Sequence, residues 1–132
     1  MRILVAEDEA VTRFALADTL SEWGYDVVST ADGDAAWEVL RQEDAPPLAL
    51  LDWDMPGPSG PELCRRVREL PLSRYPYLLL VTHRQGAENV LAGLRSGAND
   101  YLTKPVRDEE LAARLHVAAG MVRLQQQFDR SR

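Results

Sequence analysis

Leu48-Ala49-Leu50-Leu51-Asp52-Trp53-Asp54-Met55-Pro56 is an apolar run that stops abruptly at an acid. Pro46 and Pro47 bound it on one side, Pro56 and Gly57 on the other. A short, uninterrupted apolar run between turn residues is the pattern of a strand buried on both faces. Asp52 then stands at the carboxyl end of a central strand, and in open α/β sheets ligands bind in the crevice outside those ends. An aspartate in that place also serves simply to begin a turn, so the rest of the chain has to decide between the two.

Outward from this stretch the chain divides into five strand-then-helix units without repeats or long linkers. Arg2 to Ala6 forms a short buried strand that ends in Glu7-Asp8-Glu9. A helix over about 10–23 follows, with Leu16, Leu20 and Trp23 on one face and Gly24 in the C′ position. A strand over about 26–30 leads to a helix over about 33–43 that turns Ala36 and Leu40 inward. After the central strand, Ser59 and Glu62 make a capping box around Pro61, and Leu63, Val67 and Leu70 form the inner face of a third helix. Tyr77 to Thr82 is a second strongly apolar strand. The helix over about 86–96 is weakened by Gly93 and ended by Gly97. A strand over about 100–103 precedes Lys104-Pro105, and the last helix runs from near Asp108 to about Phe128. Strict alternation predicts an α/β fold, a five-stranded parallel sheet doubly wound with helices on both faces. In the order 2-1-3-4-5, strands one and three flank the switch point and bring Glu7, Asp8 and Asp52 together.

Composition narrows the functional classes. With 132 residues, 45% of them hydrophobic, the chain makes one domain with a sizeable core. The single cysteine, Cys64, excludes an internal disulfide; its apolar helical neighbours read as a buried structural thiol in a reducing compartment. No stretch approaches a membrane span, and the N-terminus turns acidic too early for a signal peptide, so a cytoplasmic protein without a membrane contact is expected. Residues 1–62 hold fourteen acids against three arginines, while residues 63–132 hold twelve basic residues against seven acids. A net charge of -6 argues against direct nucleic-acid binding, which needs a basic footprint.

Three gathered carboxylates need a cation. At about 4 Å each like-charge pair costs on the order of 4 kcal/mol at an effective dielectric of 20. Mg2+ suits hard oxygen ligands and is held by one or two carboxylates plus a phosphate. Glu7 and Asp8 are natural ligands, and Asp52 is free to be both ligand and nucleophile. Of 15 basic residues, Lys104 is the only lysine, and it sits beside the acids. A compact ammonium acts as a point charge on a phosphoryl oxygen. Pro105 after it is a candidate for a cis bond that sets the lysine's approach.

Taken together, these residues resemble the receiver domain of two-component response regulators over about residues 1–125. Val-Ala-Glu7-Asp8-Glu is similar to the family's acidic pair and Leu-Leu-Asp52-Trp-Asp-Met-Pro to its phosphoacceptor strand. Leu-Val-Thr82 is similar to its switch hydroxyl, and Asn-Asp-Tyr101-Leu-Thr-Lys104-Pro105 to its switch aromatic, lysine and proline. The rule that open α/β sheets bind ligands at the switch point counts a member of this same family among its standard examples. The resemblance implies that a histidine kinase or histidine phosphotransfer protein passes a phosphoryl group to Asp52 with Mg2+. Glu7, Asp8 and the backbone carbonyl of Asp54 would hold the metal, and Lys104 and Thr82 the phosphoryl oxygens. Tyr101 would follow Thr82 inward and switch the face of helix four, strand five and helix five. Phosphoryl transfer asks the protein for positioning and charge neutralisation, which agrees. The resemblance also implies that partner specificity lies on helix one and nearby loops, where Thr12, Arg13, Leu16 and Pro105 to Arg107 are the expected contacts.

Some residues depart from that pattern. His83 follows the switch threonine where a small residue is usual, and its ring would narrow donor access unless it is simply an exposed loop histidine. Asp54 and Arg84, each two residues beyond a key group, are placed to pair across the site mouth. Pro61 is tolerated in the first turn of a helix. The last helix carries two apolar stripes, Leu111, Leu115, Ala118, Val122 and Val117, Met121, Leu124, Phe128. One can face the sheet; the other suits a homodimer, a protein partner or an output domain, unless it is a frayed end. Residues 126–132 read as a polar tail or the start of a linker. Two alternatives stay open. A phosphatase of the haloacid dehalogenase type also forms a phosphoaspartate in an Asp-x-Asp motif such as Asp52-Trp-Asp54, but Met55-Pro56 and the order of the acids do not suit it. The other is a receiver-like interaction module that is never phosphorylated.

Overall fold

A computed structural model describes residues 1–71 and 75–130; residues 131 and 132 at the end of the expected tail lie outside the described residues. The elements are β1 (Arg2–Ala6), α1 (Ala10–Glu22), β2 (Asp26–Thr30), α2 (Gly33–Leu40) and β3 (Leu48–Asp52), then α3 (Gly60–Glu69), β4 (Tyr77–Thr82), α4 (Ala87–Arg95), β5 (Asp100–Thr103) and α5 (Asp108–Arg130). All pairings are parallel and the order is β2-β1-β3-β4-β5, as the alternation predicts.

Every residue of β3 is buried, which is why its sequence is apolar without a break. On the edge, β2 is half-exposed, and its sequence is correspondingly mixed. The pleat sends alternate side chains to opposite faces. Ile3, Val5, Leu48, Leu50, Leu79 and Val81 meet α1 and α5 through Leu20, Leu111, Leu115, Ala118 and Val122. Leu4, Ala6, Ala49, Leu51, Leu78 and Leu80 meet α2 and α3 through Ala36, Leu40, Leu63, Cys64 and Val67. Each buried leucine contributes about 2 kcal/mol of transfer free energy, and the two layers clamp the sheet from both sides.

Helix ends follow local chemistry, with three differences from the sequence expectation. Ser59 accepts the Glu62 N–H at 3.3 Å, Asp32 caps α2, and Glu9 accepts the Thr12 N–H at 2.8 Å. Gly24 and Gly97 close α1 and α4 with φ of +92° and +117°. Trp23, expected inward, is the C-cap of α1 and is 37% exposed, because the chain has already begun its turn there. Helix α2 stops at Leu40, three residues early: the following Arg41-Gln42-Glu43-Asp44 has no apolar residue to hold another turn on the sheet. Leu70 is the extended C-cap of α3, half-buried, since Pro71 disfavours a helical residue before it.

One structural residue had no sequence signal. Arg68, half-buried on α3, donates to the carbonyls of Gly97 (2.9 Å) and Pro76 (2.8 Å) and to Asn99 Oδ1 (2.7 Å), and its guanidinium lies 3.7 Å over the Tyr75 ring. Asn99 Oδ1 also accepts the Leu78 N–H at 2.8 Å. Arg68 thereby ties α3, the approach to β4 and the approach to β5 at the edge opposite the acids.

Candidate functional site

The carboxyl edge of the sheet gathers the charged residues. Glu7 follows β1 and is 2% exposed, Asp52 ends β3 and is 7% exposed, and Asp8 is exposed beside them. One carboxylate oxygen from each of the three lies within 4.8 Å of the others. The Glu7–Asp8 turn is held from α1: Arg13 Nη1 donates to the Glu7 carbonyl at 2.9 Å and to the Asp8 carbonyl at 3.4 Å. Nothing in the sequence marks Arg13, expected as a partner contact, for this bracing.

Lys104 reaches into the cluster from the end of β5. Its Nζ is 2.5 Å from Glu7 Oε1 and 3.2 Å from Asp52 Oδ2, so one ammonium bridges both buried acids. Its backbone N–H donates to the Thr82 carbonyl at 2.7 Å, and the Lys104–Pro105 bond is cis. Thr82, 1% exposed at the end of β4, accepts the Arg84 N–H on Oγ1 at 3.0 Å, which leaves its own hydroxyl proton to donate elsewhere.

The charges remain unbalanced. Burial, and then the neighbouring Glu7, push the Asp52 carboxyl up to about 7 against the pull of Lys104. Burial also acts to raise Glu7, but hydrogen bonds with Asp52, Lys104 and the Glu9 N–H outweigh it and hold Glu7 below the usual range. Two buried carboxylates thus share one ammonium, with exposed Asp8 alongside. That donor set, all hard oxygen and partly open to solvent, fits a divalent cation such as Mg2+, which keeps several waters. Cys64 takes no part: it is buried in the other core layer, with its thiol pushed up to about 11 by burial.

Around the acids stand the remaining expected residues. Arg84 pairs with Asp54 through two hydrogen bonds of 2.9 and 3.2 Å. Tyr101 is half-buried, its ring edge-on to Trp53 at 6.2 Å, and it leans on Gly93 of α4. A Cβ on Gly93 would stand 3.0 Å from Tyr101 Cδ2 and 3.0 Å from Leu80 Cδ1. The glycine that reads as a weak point in a helix is therefore a seat for an aromatic ring, the reading that a helical glycine also signals. His83 is exposed and forms one wall of a groove of about 450 Å3 with Thr12, Leu16, Lys104, Pro105 and Val106.

Comparison with known proteins agrees with this architecture. The family model "Response regulator receiver domain" matches residues 3–116. The phosphate regulon transcriptional regulatory protein PhoB of Rhizobium meliloti is 42% identical over 115 residues, covering 86% of this chain and 50% of its own length. The chain spans about half the length of the curated relatives it matches. Among solved structures, the BeF3-activated receiver domain of Klebsiella pneumoniae RstA superposes with a TM-score of 0.80 at 33% identity, over 89% of this chain and 97% of that one. The receiver domain of sensor histidine kinase PA1611 from Pseudomonas aeruginosa, solved with magnesium in its active-site cleft, has a TM-score of 0.80 at 28% identity, over 90% of this chain and 97% of that one.

Proposed function

We propose that the chain, which belongs to the response regulator receiver domain family, accepts a phosphoryl group on Asp52 and through it switches a protein contact. The observation that carries this reading is the buried Glu7–Lys104–Asp52 cluster, with Asp8 beside it, at the carboxyl edge of the sheet. An Asp52 carboxylate oxygen attacks phosphorus, the P–N bond of a phosphohistidine breaks, and the imidazole leaves with the electron pair. Glu7, Asp8, Asp52 and the Asp54 carbonyl are the residues that would hold Mg2+, which when bound neutralises charge on the phosphoryl oxygens. Lys104 exchanges its carboxylate contact for a phosphoryl oxygen, and Thr82 donates its free hydroxyl proton to another. Lys104 already lies against Asp52, so neutralising the incoming charge needs little reorganisation of that side chain.

The donor is a histidine kinase or histidine phosphotransfer protein, and the groove lined by Thr12, Leu16, His83, Pro105 and Val106 beside Lys104 is where such a protein has room to approach. The consequence of transfer is a shift of Tyr101 and of the face made by α4, β5 and α5. The outer stripe of α5 serves that output: Val117, Met121, Leu124 and Phe128 are 58, 54, 61 and 59% exposed while the inner stripe is buried on the sheet. Among the described residues no helix is long and apolar enough to cross a membrane. With its acidic surface the domain acts through protein contacts, an output domain or a second copy, rather than directly on nucleic acid.

The test is intact mass after incubation with acetyl phosphate and Mg2+. One added phosphoryl group is expected in the parent, none in Asp52→Ala and none with a chelator. Absence of the adduct in the parent and in His83→Ala would support the unphosphorylated interaction module, an adduct gained only in His83→Ala would show that His83 closes the site to small donors, and repeated release of phosphate from small phosphomonoesters would support the phosphatase.

A further inference from the structure

Helix α5 is 23 residues long and β3 five, about 34 Å against about 17 Å at their rises per residue. The last turns of α5 therefore pass beyond the sheet, at the amino edge where Pro47 leads into β3 and Tyr75 and Pro76 lead into β4. The buried stripe of α5 ends at Val122, so the apolar burial that seats the earlier turns does not hold these. Gln125, nearly one turn on, takes over. Its side-chain amide donates to the Tyr75 carbonyl at 3.1 Å and accepts the Tyr75 N–H at 3.1 Å. An amide that meets both main-chain groups of one residue makes the pair of bonds that a residue on an antiparallel strand would make.

Tyr75 is held from its other side as well. The Arg68 guanidinium lies 3.7 Å over its ring, and Arg68 donates to the Gly97 carbonyl at 2.9 Å, just past α4, and to Asn99 Oδ1 at 2.7 Å, just before β5. Asn99 is fixed in turn by Leu78 of β4: Oδ1 accepts the Leu78 N–H, and the Leu78 carbonyl accepts the Asn99 N–H, both at 2.8 Å. The joint is tight, since a Cβ on Gly97 would stand 2.7 Å from Arg68 Cγ. One unbroken series of contacts thus runs from the end of α4 through Arg68 and Tyr75 to the last turns of α5, at the edge of the sheet opposite Asp52. Among the described residues every acceptor in it is a neutral oxygen, so the series is held by hydrogen-bond and stacking geometry rather than by an ion pair.

We propose that this series is a relay: Gln125 is a positioning residue that clasps the end of α5 to Tyr75, and the Arg68–Tyr75 stack passes movement of α4 and β5 to the clasp. Packed elements shift as units rather than deforming smoothly. A displacement of Gly97 or Asn99 therefore carries Arg68, Tyr75 and the end of α5 with it. What moves at the far end is a recognition surface, because Met121, Leu124 and Phe128 stand with Tyr75 and Tyr77 around an apolar groove of about 500 Å3. The relay joins α4 to α5 without passing through Tyr101. Its activating step rests on Asp52 being the phosphoacceptor; the clasp does not.

The experiment is hydrogen exchange of the whole chain in Mg2+, with and without BeF3 as the phosphoryl analogue, read by mass spectrometry over residues 122–129. Gln125→Ala, and Gln125→Glu, which has no N–H for the Tyr75 carbonyl, should each speed exchange there about fivefold to tenfold, as suits a neutral hydrogen-bonded pair. Ala is a better helix former than Gln, so lost propensity cannot produce that rise. Gln126→Ala, one position along, should exchange like the parent. Tyr75→Leu keeps the main-chain groups that Gln125 holds but takes the ring from Arg68. BeF3 should change exchange over residues 122–129 at least about twofold in the parent and not in Tyr75→Leu, while both gain protection beside Asp52 and Thr82. Exchange like the parent's in the Gln125 variants would overturn the clasp. A BeF3 response over residues 122–129 that is absent from the parent, or equal in the parent and Tyr75→Leu, would overturn the relay while leaving Asp52 as phosphoacceptor. No gain of protection beside Asp52 in the parent would overturn the Asp52 reading and the activating step with it, and the Gln125 variants would still decide the clasp.

Discussion

Replacing Asp52 with Asn should stabilise the metal-free protein at pH 8. Asp52 is 7% exposed, and burial with Glu7 alongside pushes its carboxyl from an ordinary 3.8 up to about 7. A carboxyl raised in the folded state contributes stability that is fully present below the unfolded value and is lost as pH rises through the folded one. At pH 8 the parent carries that loss, about 4 kcal/mol at 1.36 kcal/mol per pKa unit. Asn keeps an oxygen to accept from Lys104, 3.2 Å away in the parent, and brings no charge toward Glu7. Allowing for relaxation of the amide, about 2 kcal/mol should return, a rise in Tm of roughly 7 °C for a domain of this size. Thermal unfolding in a chelator at pH 8 and pH 5 measures it: the gap should shrink at pH 5, where the parent's Asp52 keeps its proton, and should shrink again with Mg2+, which compensates the parent's charge. A variant no more stable than the parent at pH 8 in chelator, or a gap unchanged between the two pH values, would refute the account of the site as a strained, cation-seeking cluster.

Two further predictions concern the parts beyond the acids. Arg68→Met leaves the Gly97 and Pro76 carbonyls without their donor and removes the stack on Tyr75. It should cost about 2–4 kcal/mol and lower Tm by roughly 10 °C; a drop of less than about 3 °C would show that water replaces the guanidinium. If the outer α5 stripe is a self-contact, light scattering of concentrated, BeF3-loaded protein should give twice the chain mass, and Met121→Glu with Leu124→Glu should return it to one. A parent that stays monomeric with and without BeF3 would count against the self-contact.

Much of this protein is legible in its sequence because the governing signals are local or periodic. A buried parallel strand must be apolar at every position, so β3 and β4 announce themselves, and a parallel pair needs a crossover, so strand-helix alternation implies the doubly wound sheet. That sheet carries the ends of β1, β3 and β5 to one edge, which brings Glu7, Asp8, Asp52 and Lys104 near one another before any coordinate is known. The lone lysine among 15 basic residues marks itself by composition. Helix ends are less legible, because Trp23, Arg41 and Leu70 each fit a helical pattern while the turn at Gly24, the polar run after Leu40 and Pro71 end the helices there.

Tertiary structure alone decided what those residues do to each other. No pattern in the chain shows that Lys104 divides itself between Glu7 and Asp52, or that burial outweighs its pull on Asp52, since both follow from distances between strands far apart in sequence. Arg13 and Arg68 look alike in a chain with 14 arginines, whereas Arg84 is marked by its place two residues beyond Thr82, opposite Asp54. One braces the acidic turn, one ties the far edge of the sheet, and one grips Asp54 over Trp53. Their roles differ because a long, flexible cation is defined by the acceptors that folding places within its reach.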